Sequence, residues 1–161
     1  MGIDTDRIRY RKATVNDVES LVSLRIRFLD ELYSHQDNEA TDVLRESMRK
    51  FFSKAIPSHD FVAWVAECEG RIIGMSGMVI WRRPPNYRGL ESGKLGYVLN
   101  FYTIPQARRK GIATHLLTEL LKEAKSLELR FLHLNATKDG MNIYRKFGFE
   151  EPDDPELVLR L

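Results

Sequence analysis

The chain has 161 residues, about one domain's worth, and its 43% hydrophobic and 30% charged content is ordinary for a globular protein. Lys and Arg number 25 against 23 Asp and Glu, and the resulting +2 is too small for a histone-like nucleic-acid binder. No apolar run approaches the ~20 residues of a membrane span, the first twenty residues show no secretory apolar core, and a lone Cys68 fits a reducing compartment. The expectation is a single cytoplasmic domain over residues 1–161.

In chain order, residues 7–12 alternate around Ile8 and Tyr10 and predict a first strand. Thr14-x-x-Asp17 has the form of a capping box, in which hydroxyl and carboxylate satisfy free N–H groups at a helix start. Val18, Leu21, Val22, Ile26 and Leu29 follow at helical spacing and carry a helix to about Leu32. A polar break over 34–40 precedes a second helix, whose apolar stripe is Leu44, Met48, Phe51, Phe52 and Ala55 and whose stop is Pro57.

The β-favouring stretch 61–67, the turn at Glu69-Gly70 and residues 72–81 predict a hairpin. Residues 82–93 hold Pro84, Pro85, Gly89 and Gly93 and predict a loop. A fourth strand over 95–103 is stopped by Pro105, and a helix runs from Gly111 to about Lys125. A fifth strand over 129–134, a short helix over 139–146 and a last strand over 156–161 complete the order. The fourth strand, third helix and fifth strand make a βαβ unit with a parallel pair. The fold class is therefore α/β, a mixed and mostly antiparallel sheet with helices on both faces.

The chemistry concentrates where the fourth strand hands over to the third helix, Thr103-Ile104-Pro105-Gln106-Ala107-Arg108-Arg109-Lys110-Gly111-Ile112-Ala113-Thr114. The first turn of a helix leaves N–H groups unpaired at the positive end of the dipole, a natural place for phosphate. Gly111 and Ala113 leave room for a close backbone approach, and Arg108, Arg109 and Lys110 supply mobile positive charge. An ordinary basic helix start fits the local pattern equally well.

Arg108-x-x-Gly111-x-Ala113 resembles the pyrophosphate loop of the GNAT acetyltransferase superfamily, and Ile143-Tyr144-Arg145-Lys146-Phe147-Gly148-Phe149 resembles that family's C-terminal tyrosine element. The order of elements is also similar, so the resemblance covers nearly the whole chain. It implies the acyl-CoA N-acyltransferase fold, with acetyl-CoA as cofactor, CoA as product, and direct transfer of the acetyl group to a primary amine in a ternary complex. The pyrophosphate would lie on the backbone N–H groups of Arg108, Arg109, Lys110, Gly111, Ile112, Ala113 and Thr114. The fourth and fifth strands would splay, with the pantetheine arm bonded to Phe101, Tyr102 and Thr103. A backbone N–H there would polarise the thioester carbonyl. Asn135 matches a pantetheine or water contact, and Tyr144 matches the general acid that protonates the departing sulfur.

The chain departs from the family's pattern in three places. Arg109 and Ala113 stand where many members have glycine, at little cost for an outward-pointing Arg109 side chain. Thr137 replaces a frequent asparagine. Leu99 and Asn100 stand where many members carry a carboxylate base, which leaves the general base unassigned and points to a route through water. Glu31, Tyr33 and Asp37 lie where the first helix gives way to the second, a region that borders the acceptor in this family, and their acidity suits a cationic amine. The acceptor is expected to be a small-molecule or peptide amine entering between these helices and the 82–94 loop; a homodimer stays open.

Other readings are weaker. His35, His59, His115 and His133 show no paired spacing, so no metal site is expected. His133 alternates within the fifth strand and suits either the cleft or a structural role. Trp81-Arg82-Arg83 and Tyr87-Arg88 interleave aromatics with arginines as RNA binders do, but the small net charge argues against nucleic acid. A non-catalytic acyl-CoA-binding module is the remaining alternative, kept open by the missing carboxylate.

Overall fold

A computed structural model describes residues 3–34, 39–85, 87, 93–154 and 156–161. Five strands form one sheet in the order β1-β2-β3-β4-β5: β1 Ile8–Lys12, β2 Phe61–Cys68, β3 Arg71–Arg82, β4 Lys94–Thr103 and β5 Leu132–His133. The first three pairings are antiparallel and the last, β4 with β5, is parallel. Helices α1 Val18–Tyr33, α2 Glu39–Ala55, α3 Ile112–Ser126 and α4 Met141–Lys146 complete the order. Among the described residues no helix is long and apolar enough to cross a membrane.

Alternation along β3 shows how the two faces are covered. Gly74 lies under α3, where an added Cβ would stand 3.1 Å from Ile112, and the neighbouring Ser76 hydroxyl lies 3.5 Å from the Leu116 carbonyl oxygen. One step over, Gly77 faces the other way, and its missing side chain is replaced by the Phe61 ring, 2.4 Å from where a Cβ would stand. Phe61 in turn packs on Phe51 and Phe52 of α2. Helices therefore occupy both faces, as the sequence predicts.

The capping box forms. The Thr14 hydroxyl accepts from Asn16 N–H at 3.3 Å and Asp17 accepts from Thr14 N–H at 2.8 Å. Arg11 adds two bonds of 2.8 Å to the same buried Asp17 carboxylate and a third to Glu67, tying β1 and β2 to the start of α1.

Three expectations change. The strand expected over 129–134 shrinks to Leu132–His133, because only Gly96 and Tyr97 of β4 find partners there. The strand expected over 156–161 is absent: Leu157, Val158, Leu159 and Leu161 are at least 80% exposed, and the outermost strand β5 has two residues to offer. An alternating pattern becomes a strand only where an edge accepts it. In α2 the core-facing residues are Thr41, Met48, Phe52 and Ala55, while Leu44 and Phe51 of the expected stripe stay exposed at the rim.

Candidate active site

Beyond Tyr97, β4 continues for six residues to Thr103 with no β5 partner, so the two parallel strands part and leave one edge of β4 open. Asn100 lies on this open stretch with φ +57°, and the register to β3 slips between Met75 and Gly77 at the same level. This is a bulge, and it turns local N–H and carbonyl groups out of the ladder.

At the end of β4 the chain makes a 3₁₀ turn over Pro105–Ala107, then passes through left-handed conformations at Arg109 (φ +60°) and Gly111 (φ +77°) before α3 starts. The first α3 bond runs from His115 N–H to the Gly111 oxygen at 3.0 Å, so the Ile112, Ala113 and Thr114 amides precede the ladder. Thr103, Ala107, Arg108, Gly111, Ile112 and Thr114 help line a depression of about 250 Å³ here. Gly111 is required by its backbone angle, since nothing stands within 4 Å of a Cβ added to it. Arg109 takes a left-handed position with a full side chain, so its cost resides in the backbone, roughly 1–2 kcal/mol, wherever the side chain points.

Arg108 is not the mobile charge that the sequence suggests. Its Nε donates to the Thr103 carbonyl oxygen at 2.9 Å, its Nη2 to Glu31 at 2.5 Å, and its guanidinium lies 5.5 Å over the Tyr102 ring. The Tyr102 hydroxyl donates to the other oxygen of Glu31 at 2.5 Å. Burial pushes Glu31 up, but the bonds from Tyr102 and Arg108 outweigh it and hold the carboxylate below its ordinary range. Burial and Glu31 together push Tyr102 to about 12. Glu31 thus links α1 to the helix-start loop, and its charge is already engaged. Arg109 and Lys110 remain exposed, with no ion pair among the described residues.

Tyr144 is 8% exposed, edge-on to Phe101 at 5.8 Å and to Phe149 at 5.7 Å. Burial pushes its phenol up to about 12. Phe101 and Tyr144 are thus brought together at the open edge of β4. Thr137, where the family pattern has asparagine, accepts from Gly140 N–H at 3.2 Å and shapes the turn before α4. Asn135 bonds to the Tyr97 side chain, which burial, then Glu156, push up in pKa.

A larger cavity of about 490 Å³ lies toward the other end of β4, lined by Asp60, Ile80, Trp81, Arg82, Arg83, Leu95 and His133. Trp81 stacks on Tyr97 at 4.7 Å, so one face of this tryptophan is already used. His133 does face an open cleft. Of the acceptor-side residues expected from the sequence, Tyr33 lies near Arg25, Glu31 serves the Arg108 link, and Asp37 lies outside the described residues. Sequence reasoning missed Arg25, whose Nη1 donates to the Asn100 amide oxygen. A charged residue within the apolar spacing of α1 was the available signal. No cluster of His, Cys, Asp or Glu able to hold a metal ion is present among the described residues.

The fold recurs in known proteins. The chain is 26% identical over 148 residues to an N-alpha-acetyltransferase of Sulfurisphaera tokodaii, covering 89% of this chain and 80% of that protein. A crystal structure of a predicted acetyltransferase with acetyl-CoA from Clostridium acetobutylicum is 31% identical, with a TM-score of 0.84 over 94% of this chain and 96% of the other. A GCN5-related N-acetyltransferase from Ralstonia eutropha shares the fold at 22% identity and a TM-score of 0.81, covering 94% and 98% of the two chains. The acetyltransferase (GNAT) family model matches residues 24–149. The chain belongs to the acetyltransferase (GNAT) family.

Proposed function

We propose that the protein moves the acetyl group of acetyl-CoA directly to a primary amine, releasing CoA. The observation that carries this reading is the open edge of β4, which runs from a bulge at Asn100 straight into the unpaired amides at the start of α3. Acetyl-CoA has the matching parts in the matching order. Its pyrophosphate accepts from the amides between Arg109 and Thr114; the Arg108 amide already donates to the Pro105 oxygen at 3.3 Å. Its pantetheine amides pair with Phe101, Tyr102 and Thr103 as an added strand would. The thioester then reaches the bulge, where a backbone N–H turned out of the ladder polarises its carbonyl.

A lysine-type amine has a pKa of about 10.4 and arrives protonated at neutral pH. Leu99 and Asn100 cannot take that proton. It leaves through water toward the 490 Å³ cavity, where Asp60 and His133 stand. The free amine attacks the thioester carbon, the attacking nitrogen gives up its second proton along the same water route, and the tetrahedral intermediate collapses with CoA leaving as its thiolate, Tyr144 donating a hydrogen bond to the departing sulfur.

The test pairs calorimetry of acetyl-CoA binding with a screen of amines, amino acids and peptide N-termini for release of free CoA thiol. Micromolar binding with turnover of one acceptor class supports the reading. Absent binding ends it, and binding with no turnover of any amine returns the protein to an acyl-CoA-binding module.

A further inference from the structure

The inner face of α1 presents a charge that acetyl transfer alone does not use. Arg25 is half-buried, and among the described residues it has no acidic partner within ion-pair distance. It donates to the Asn100 amide oxygen, and because a guanidinium has only donors, the amide orientation is fixed by that bond. Asn100 is 3% exposed, and its Nδ2 has no hydrogen-bond partner. Two donors, one of them cationic and partly desolvated, therefore meet at the bulge, one residue before Phe101 and its contact with Tyr144. Neither can bind an ammonium group. Both call for an oxygen ligand, and a charge with no acidic partner among the described residues calls for an anionic one.

The cavity toward the other end of β4 adds positive charge. Arg82 and Arg83 line it with no ion pair among the described residues, against one acid in the lining, Asp60, which accepts from the Ser58 hydroxyl at 2.7 Å. Of the two acids that the sequence offered for a cationic acceptor, Glu31 is neutralised by Arg108, and Asp37 lies outside the described residues. On the acetyl-transfer reading above, we infer that Arg25 and Asn100 hold the carboxylate of the acceptor, which is an amine with a carboxylate on the adjacent carbon, the α-amino acid class. A carboxylate gripped at the bulge sets the neighbouring amine against the thioester carbon, so the pair orients the nucleophile as well as selecting it.

The experiment compares matched acceptors with the full chain and saturating acetyl-CoA: an α-amino acid, its carboxamide and its decarboxylated amine, over several side chains. kcat/KM is read by free thiol. The acid is expected to exceed both analogues at least tenfold. Arg25→Gln should bring acid and carboxamide within about twofold while acetyl-CoA affinity by calorimetry stays unchanged. Asn100→Asp neutralises Arg25 internally with almost no change of shape, so it should erase the same preference even if Arg25→Gln fails to fold. Equal or better use of the carboxamide by the wild type overturns the inference, as does a preference that survives both variants. Acetyl-CoA binding with no acid acetylated also overturns it, whereas loss of acetyl-CoA binding by the wild type would instead sink the transferase reading.

Discussion

A phenol held at about 12 is a poor match for a thiolate whose ordinary pKa is about 8.5. Complete proton transfer from Tyr144 to the leaving sulfur is uphill roughly three-thousandfold, so in the proposed reaction Tyr144 would work by hydrogen-bond donation while the C–S bond stretches. General-acid contributions run ~10²–10⁴-fold, and a donor this weak to a fair leaving group belongs at or below the low end. Tyr144→Phe should lower kcat by roughly 10–100-fold, with acetyl-CoA affinity nearly unchanged, in single-turnover kinetics. The raised pKa also has a pH consequence. The phenol keeps its proton until the pH nears 12, so the rate should climb with amine deprotonation and show no falling limb below about pH 10. Both oxygens of the Glu31 carboxylate are engaged. Its bonds to Arg108 and Tyr102 predict that Glu31→Gln acts on the cosubstrate: freeing Arg108 and removing a negative charge should lower the KM for acetyl-CoA by about 2–5-fold at low salt. The acceptor KM should stay within twofold.

At the level of the element, the start of α3 depends on one backbone angle. Gly111 at φ +77° has empty space around it, so Gly111→Val produces no clash and acts through strain and a shifted amide cradle. The expected result is loss of acetyl-CoA binding by calorimetry with a melting transition only a few degrees lower, while Lys110→Ala weakens binding by no more than about 1 kcal/mol. This loop was legible in the sequence because glycine, proline and a basic run encode backbone geometry and charge locally. The capping box and the helical stripe of α1 were legible for the same reason. The extent of β5 was not, because pairing depends on where β4 turns away, and the bulge at Asn100 follows from a long-range register with β3. The partnership of Glu31 with Arg108, 77 residues along the chain, left no local trace either. The last strand read over 156–161 shows the opposite error: a local pattern with no edge to complete it.

For the molecule as a whole, Arg11 joins β1, β2 and the start of α1 through Asp17 and Glu67. Hydrogen bonds from Arg11, working against burial, hold the Asp17 carboxyl below its ordinary range. A depressed carboxylate contributes its full stability above the unfolded value of about 3.9, and that contribution drains as the pH falls from there through the lower folded value. Arg11→Met should therefore cost roughly 1–3 kcal/mol in urea unfolding at pH 7 and much less at pH 2. An equal loss at both values would show that Arg11 matters only through packing.

The two-residue meeting of β4 and β5 leaves the sheet unfinished along the stretch from Val98 to Thr103. An unpaired edge of that kind opens easily and invites intermolecular pairing. If the pantetheine arm supplies the missing rungs, the cosubstrate is also a reversible structural staple, and conformational stability becomes linked to its concentration by mass action. At a hundredfold excess over Kd the linkage is worth about 2.7 kcal/mol. Hydrogen exchange should then slow on both flanks of the seam, in β4 and in the α4 region around Tyr144, and without acetyl-CoA the same protein should be the more prone to aggregate on mild heating.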